Sequence, residues 1–200
     1  MYIETDDIKI LVDTEFGYKE NFAEENKKRN RIRLINALND HGLRPEDIDH
    51  VFITHRHGDH FGNPDLFDCA EIPALRSYKG LAFECREISD MEDIIERVMV
   101  MATPGHTRDH ASLVLSPDEI TQQMSMFSEC AVRIESPCIV VAVDAIVSQS
   151  QYPEGKLWDY NADFFSIEQS RRSQQVITKI ADYIIPGHGT IFQNIHKPAP

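Results

Sequence analysis

The stretch "VFITHRHGDHFGN", which begins at residue 51, constrains the fold more than any other part of the sequence. Directly after an apolar run it places four metal-ligand side chains, namely His55, His57, Asp59 and His60. Residues two apart in an extended chain point the same way, so His55 and His57 can share one cation. Gly58 allows a bend, which frees Asp59 and His60 to reach a second position. Imidazole nitrogen and carboxylate oxygen suit Zn²⁺. The stretch therefore predicts a metal site at the end of a strand.

Three further candidate ligands also end or interrupt apolar strands. They are His106 in "MATPGHT", Asp144 in "VVAVDAIV" and His188 in "YIIPGHG". An isolated carboxylate within a strand as apolar as that around Asp144 is costly unless it is paired or bound to a metal. Polar groups at strand ends are typical of a site at one rim of a sheet. His110, four residues after His106, is expected to pack near this site and not to bind metal.

Alternation of short apolar runs with helical patterns predicts an α/β fold. The predicted strands are 8–14, "DHVFIT", 97–103, 111–116, 138–147 and "YIIPGHG", and the helical segments are 19–42 and 165–182. Gly42 is a plausible end for the first helix. We expect residues 1–200 to form one domain, because 42% hydrophobic residues suffice for a sizeable core. The polar segment 116–137 predicts an inserted loop between two strands.

Charge and cysteine content limit the classes of function. With 20 basic and 33 acidic side chains the formal charge is −13, which disfavours a broad nucleic-acid-binding face. The basic run "KKRNRIR" is better explained as a solvated helix face. The four cysteines form no C-x-x-C pair and are expected to be reduced. No secretion signal or membrane span is evident, so we expect a soluble protein of the cytoplasm or nucleus, without a membrane partner.

The motif order H-x-H-x-D-H, T-P-G-H-T, a strand Asp and P-G-H-G resembles the metallo-β-lactamase superfamily of dinuclear metal hydrolases. The resemblance runs from Ile10 to Phe192. It implies an αββα sandwich of two mixed β-sheets flanked by helices, with the first hairpin shortened. Two departures from the superfamily pattern stand out. Arg108 and Asp109 replace a turn that often ends in Gly, and Val143 precedes the strand Asp where Gly is common.

The resemblance also implies a role for each candidate ligand. His55, His57 and His106 would hold one Zn²⁺, Asp59, His60 and His188 the other, and Asp144 would bridge the two. Fe or Mn can replace zinc in such sites. A metal-bridging hydroxide would be the nucleophile, and Asp59 would also orient it as a catalytic residue. Asp13 and Thr54 are candidates for hydrogen bonds to the ligand histidines; for Asp13, capping of a turn is an equally good explanation.

The substrate remains open between classes. The segments "ITHRHGDHFGNPDLF" and "SRRSQQVITKIADYIIPGHGTIF" are similar to a subfamily associated with endonucleolytic processing of histone pre-mRNA, which implies an RNA substrate. An alternative is a small ester or thioester hydrolase of the glyoxalase II type. A third hypothesis, from another class, is a metal-binding interaction protein without turnover. A homodimer is suggested by analogy alone.

Overall fold

A computed structural model describes residues 1–5, 8–16, 23–75, 84–116, 137–150, 152 and 165–198. The chain divides into two compact units, Met1–Ile88 and Ser89–Pro200. Nearly all of the predicted 116–137 insertion lies outside the described residues, so that expectation stays a prediction. The expectation of one domain over 1–200 also stays a prediction.

The first unit is built on a three-stranded sheet. Its strands, in spatial order, are β1 (Tyr2–Glu4), β2 (Lys9–Val12) and β3 (His50–Phe52). β1 is antiparallel to β2 and forms the short first hairpin, while β3 is parallel to β2. A separate parallel pair consists of β4 (Pro73–Ala74) and β5 (Arg86–Glu87). Its helices are α1 (Glu24–Asp40) and the single turn α2 (Gly58–Phe61).

Helix α1 supplies the crossover that a parallel strand pair requires. Leu34 and Leu38, four residues apart, are buried in one cluster with the β2 residue Leu11 and the β3 residue Val51. The helix ends at Asp40, and Gly42 follows with φ of +72°, a left-handed conformation that Gly adopts without strain. The predicted end of the helix is therefore confirmed.

The second unit is built on a six-stranded sheet. Its strands lie in the spatial order β11-β10-β9-β8-β7-β6. They are β6 (Asp93–Ile95), β7 (Val98–Ala102), β8 (Ala111–Leu115), β9 (Ile139–Val143), β10 (Tyr183–Pro186) and β11 (Phe192–Gln193). β9 and β10 are parallel and the other pairs antiparallel, so both main sheets are mixed. The amphipathic helix α3 (Ile167–Ile180) connects β9 to β10, and its Ile177 is buried against the β9 residue Val140.

The strand register brings several chain turns to one rim of this sheet. Ala102 at the end of β7 pairs with Ala111 at the start of β8, and β8 runs antiparallel to β9. Val143 at the end of β9 pairs with Pro186 at the end of β10. The turns that follow β7, β9 and β10 therefore leave the sheet at the same rim.

Strand β9 is shorter than the sequence predicts. The apolar run extends to residue 147, but the strand ends at Val143, whose φ is +45°. Ala145 N–H then donates to Ala142 O at 3.0 Å and Ile146 N–H to Val143 O at 3.2 Å, which closes a turn. The prediction was wrong because residues 145–147 are buried in the core as part of a turn, so their apolar character does not reflect pairing in the sheet.

Within the described part of the chain, we find no helix with the length and apolar character needed to cross a bilayer.

Candidate metal centre

The turn after β3 brings three imidazoles together, as the sequence predicts. The chain is extended through His57 and then begins α2 at Gly58, where His60 N–H donates to His57 O at 2.9 Å. His55 Nε2 lies 3.1 Å from His57 Nδ1. The His55 and His60 ring centroids lie 4.0 Å apart. His55 is fully buried and His60 is 8% exposed, so these rings face each other and not the solvent.

Asp13 and Thr54 fix which nitrogens of two rings carry protons. Thr54 N–H and Oγ1–H both donate to the Asp13 carboxylate, at 2.9 Å to Oδ1 and 2.8 Å to Oδ2. Because the only hydroxyl hydrogen of Thr54 is used in this way, Oγ1 accepts from His55 Nδ1–H at 3.0 Å. Asp13 Oδ2 also accepts from His60 Nδ1–H at 2.8 Å. Both imidazoles are therefore left with an Nε2 lone pair, as a metal ligand requires.

The spacing of these donor atoms fits a bound cation. Two ligands at zinc-nitrogen distances in a tetrahedral site lie about 3.3–3.4 Å apart, and His55 Nε2 and His57 Nδ1 are separated by 3.1 Å. Asp59 Oδ2 lies 3.8 Å from His60 Nε2, within reach of one shared ion. Asp13 and Thr54 thus form the hydrogen bonds predicted for them to candidate ligand histidines, while their role at a metal stays a prediction.

The turn is also held by contacts that no motif of the sequence indicates. Thr14 N–H donates to His60 O at 2.7 Å, and Asn63 N–H donates to Thr14 Oγ1 at 3.0 Å. Asn63 Nδ2 donates to Thr14 O at 2.9 Å. Asn63 and Thr14 are 49 residues apart, so no local pattern in the sequence could have joined them.

The second unit holds another pair of predicted ligands. His106 follows β7 and Asp144 follows β9, so both lie at the rim described above. His106 Nε2 is 3.3 Å from Asp144 Oδ2, and the two side chains are 2% and 8% exposed. This separation also matches two ligands of one tetrahedral ion.

The turn after β10 closes against Asp144. A Cβ added to Gly187 would lie 2.1 Å from Asp144 Oδ1, so only Gly allows this approach. Gly187 N–H donates to Val143 O at 2.9 Å, and His188 N–H donates to Val147 O at 2.7 Å. His188 itself is exposed in this turn. Its backbone lies at the same rim as Asp144, while its role as a ligand stays a prediction.

His110 packs beside His106, as expected, with ring centroids 5.8 Å apart. Its Nδ1 is 2.8 Å from Thr103 Oγ1, which is 2.8 Å from Ser112 Oγ. All three side chains are at most 1% exposed. Thr103 and Ser112 were not identified from the sequence, because a hydroxyl on a strand carries no pattern of its own.

Helix α3 fixes the turn that carries His106. Ser173 Oγ–H donates to Pro104 O at 2.7 Å and Ser166 N–H to Gly105 O at 3.1 Å. A Cβ on Gly105, whose φ is +137°, would lie 2.2 Å from Ser170 N. The T-P-G sequence signals a turn, but it does not reveal the helix that the turn contacts.

Comparison with known proteins gives a family match. The family model "Metallo-beta-lactamase superfamily" matches residues 1–84. A metallo-beta-lactamase domain-containing protein 1 of Xenopus laevis is 31% identical over 172 residues, covering 82% of this chain and 64% of that protein. The chain spans 41% to 64% of the lengths of the first curated relatives that it matches. The narrower similarity to this group is thus confirmed.

A second set of similarities concerns lactone hydrolases. An N-acyl homoserine lactonase of Bacillus cereus is 22% identical over 212 residues, covering 93% of this chain and 78% of that protein. An N-acyl homoserine lactone hydrolase solved with N-hexanoyl-L-homoserine at its catalytic metal centre has a TM-score of 0.64 and 20% identity, covering 94% of this chain and 79% of that one. This likeness confirms the predicted fold class. The chain is thus similar to the metallo-beta-lactamase superfamily in sequence over residues 1–84 and, in fold, to solved hydrolases over nearly its whole length.

Proposed function

We propose that this protein is a two-metal hydrolase of small carbonyl esters, with lactones and thioesters as the substrate class. The observation that carries the proposal is the hydrogen-bond pattern around Asp13. It leaves unprotonated Nε2 atoms on the buried side chains of His55 and His60, and that of His55 lies 3.1 Å from His57 Nδ1. Buried imidazoles arranged in this way would repel one another if they were protonated, whereas a cation is stabilised by them.

The proposed centre combines the ligands of the two units. His55, His57 and His106 would hold one ion, Asp59, His60 and His188 the second, and Asp144 would contact both. Support comes from the donor spacing within each unit, 3.1 Å between His55 and His57 and 3.3 Å between His106 and Asp144. Similarity to the superfamily supports the joining of the two sets. Zinc is the first expectation and Fe or Mn the alternative.

Bound divalent ions supply a hydroxide nucleophile near neutral pH and a Lewis acid for the substrate carbonyl oxygen. Side chains of the proposed centre would orient the attacking water and exclude bulk water from the ions. The Asp59 carboxylate, a quarter exposed and 3.8 Å from His60 Nε2, is placed to accept a hydrogen bond from the attacking water. Asp13 keeps the neighbouring imidazoles in one tautomer, so no proton moves on them during turnover. Addition of the nucleophile to the carbonyl and cleavage of the ester C–O or thioester C–S bond give an acid and an alcohol or thiol.

Two observations favour esters and lactones over polyanions as substrates: the extent of the similarity to a lactonase and the net charge of the chain. The lactonase similarity covers 93% of the chain, and a formal charge of −13 opposes a long phosphate backbone. Two cations of α1 are already in ion pairs, Lys27 with Glu24 at 2.8 Å and Arg31 with Asp65. The basic run on α1 is therefore partly neutralised.

RNA cleavage is the second candidate. The similarity to metallo-beta-lactamase domain-containing protein 1, at 31% identity, favours it through the RNA substrate that the subfamily resemblance implies. The same metal chemistry can act at phosphorus as well as at carbon. A steep fall of RNA affinity with salt would identify phosphate contacts. The predicted homodimer and the cytoplasmic or nuclear location stay predictions.

The test has two parts. The metal content of the purified protein is measured, and its activity is assayed on a γ-lactone, a glutathione thioester and a single-stranded RNA. We expect two metal equivalents and turnover of the lactone or thioester. His57→Ala should lose at least one equivalent and reduce turnover by more than about 100-fold. His41→Ala removes an exposed histidine from the end of α1 and is the matched control, expected to behave as the native protein.

Three results would contradict the proposal. RNA cleavage without ester turnover would replace it with the second candidate. Metal binding without any turnover would favour an interaction protein. Full turnover by His57→Ala with no bound metal would exclude the two-metal mechanism.

A further inference from the structure

Arg108 lies at the rim of the second sheet, two residues after His106. It occupies a position where the superfamily pattern often has a small turn ending in Gly. The proposed ester hydrolysis assigns no role to it. The turn that carries it follows β7, at the rim where Asp144 follows β9. An additional cation is thus present beside the turn of a predicted metal ligand.

The guanidinium of Arg108 is held over an aromatic ring. Its Cζ lies 5.8 Å from the ring centroid of Phe165, a geometry typical of a cation–π contact. Phe165 N–H donates to His106 O at 3.3 Å, and the next residue, Ser166, donates its N–H to Gly105 O. The backbone of Phe165 is thereby fixed to that of His106, and its ring contacts the Arg108 guanidinium.

Both side chains are accessible. Phe165 is 50% exposed although it is a large apolar residue, and Arg108 is also exposed. Over the described ranges, no carboxylate lies within ion-pair distance of Arg108. In a chain with a formal charge of −13, such a cation creates a local positive potential where the general field repels anions.

We propose that Arg108, held on Phe165, determines substrate specificity by binding a carboxylate or phosphate group carried by the ester. This inference rests on the proposed function and extends it from esters in general to anionic esters. Arg presents a planar set of donors that can bind an oxyanion in bidentate fashion. Phe165 would restrict the rotamers of Arg108, which reduces the entropy lost on binding.

The test compares two esters that differ in one charge, p-nitrophenyl acetate and mono-p-nitrophenyl succinate. We expect Arg108→Gln to raise KM for the succinate ester about 10-fold, as for loss of one charge-assisted contact, with kcat nearly constant. The acetate ester should change less than about 2-fold. Phe165→Leu should give an intermediate loss for the succinate ester. Arg171→Gln, at an exposed position of α3, is the matched control and should leave both esters unaffected.

A binding measurement separates this inference from the proposed function. Calorimetry of succinate and of acetate with the native protein should show tighter binding of succinate, and Arg108→Gln should remove most of that preference. If native protein hydrolyses neither ester, the proposed ester hydrolysis fails, while succinate binding still tests Arg108. If Arg108→Gln reduces the hydrolysis of both esters equally, or leaves succinate binding unchanged, the inference is overturned.

Discussion

At the scale of single residues, the candidate centre depends on one buried carboxylate. Asp13 accepts hydrogen bonds from Thr54 and from His60, and so determines the tautomers of two rings. Its φ of +60° lies in the left-handed region, which Asp tolerates better than a branched residue. The backbone here is shaped around a functional contact, in agreement with the strain often found at such sites.

Thr54→Val tests this arrangement, because it keeps the shape of the side chain and removes the hydroxyl. His55 Nδ1–H then loses its acceptor, and the ring can rotate or change tautomer. We expect metal affinity to fall about 10–100-fold, measured by competition with a chromogenic chelator. Thr54→Ser restores the hydroxyl and should bind metal nearly as the native protein does. Equal affinity in the Val and Ser variants would contradict the proposed tautomer.

Asp90 gives a prediction of pH dependence away from the centre. Burial raises the pKa of its carboxyl, although Ala102 N–H donates to Oδ1 at 2.7 Å and opposes the shift. A raised folded-state pKa means that the native state binds the proton more tightly, so stability is lost as pH rises through that pKa. Asp90→Asn keeps the acceptor oxygen and removes the titration.

We therefore expect Asp90→Asn to become more stable relative to the native protein as pH rises from about 4, when both are compared by their free energies of unfolding. The gain should level off above the raised pKa. Urea unfolding of both proteins between pH 4 and 7 measures the difference. A constant difference over this range would show that Asp90 has no raised pKa.

At the scale of elements, α3 determines the position of the His106 turn. The helix approaches so closely that a Cβ on Gly105 would lie 2.2 Å from Ser170 N. The turn is also bonded to the helix through Ser173 Oγ and Ser166 N. Displacement of α3 would thus move His106 without any change in the ligand itself.

Gly105→Ala should cost about 2–4 kcal/mol of unfolding free energy, because the added Cβ meets backbone and the φ of +137° is unfavourable. It should also weaken metal binding through His106. Gly42→Ala is the matched control, since its φ is +72° but nothing lies within 4 Å of the added Cβ. The control should cost about 1 kcal/mol and leave metal affinity unchanged. Equal costs at the two positions would exclude close packing on α3 as the cause.

At the scale of the whole molecule, the proposed centre links the metal to the stability of both units. The candidate ligands of the proposed centre are divided between Met1–Ile88 and Ser89–Pro200. A ligand that binds only the native state raises stability by about 2.7 kcal/mol at 100 times its Kd. If the ions are shared as we propose, this stabilisation reaches both sets of residues together.

Hydrogen exchange with and without Zn²⁺ tests this coupling. We expect metal to slow exchange at residues 55–60 and also at residues 103–107 and 144–147. His57→Ala should remove the protection from all three segments, although the substituted residue lies only in the first of them. Protection of residues 55–60 alone would show that the first unit binds metal by itself.

The sequence alone predicted the candidate ligands and the α/β class. Strands adjoining the motifs and the end of α1 at Gly42 follow from local patterns. These features depend on spacing within a few residues, where periodicity and glycine conformations leave few alternatives.

Only the tertiary structure decided the contacts between distant segments. It joined Asn63 to Thr14, buried Thr103 and Ser112 beside His110, and ended β9 at Val143 although the apolar run continues to residue 147. It also placed Phe165 under Arg108. Burial makes a residue apolar whether it lies in a strand or in a turn, and a hydrogen bond across 49 residues leaves no periodic trace. For that reason candidate ligands could be named from the sequence, whereas contacts between distant segments, such as that of Asn63 with Thr14, could not.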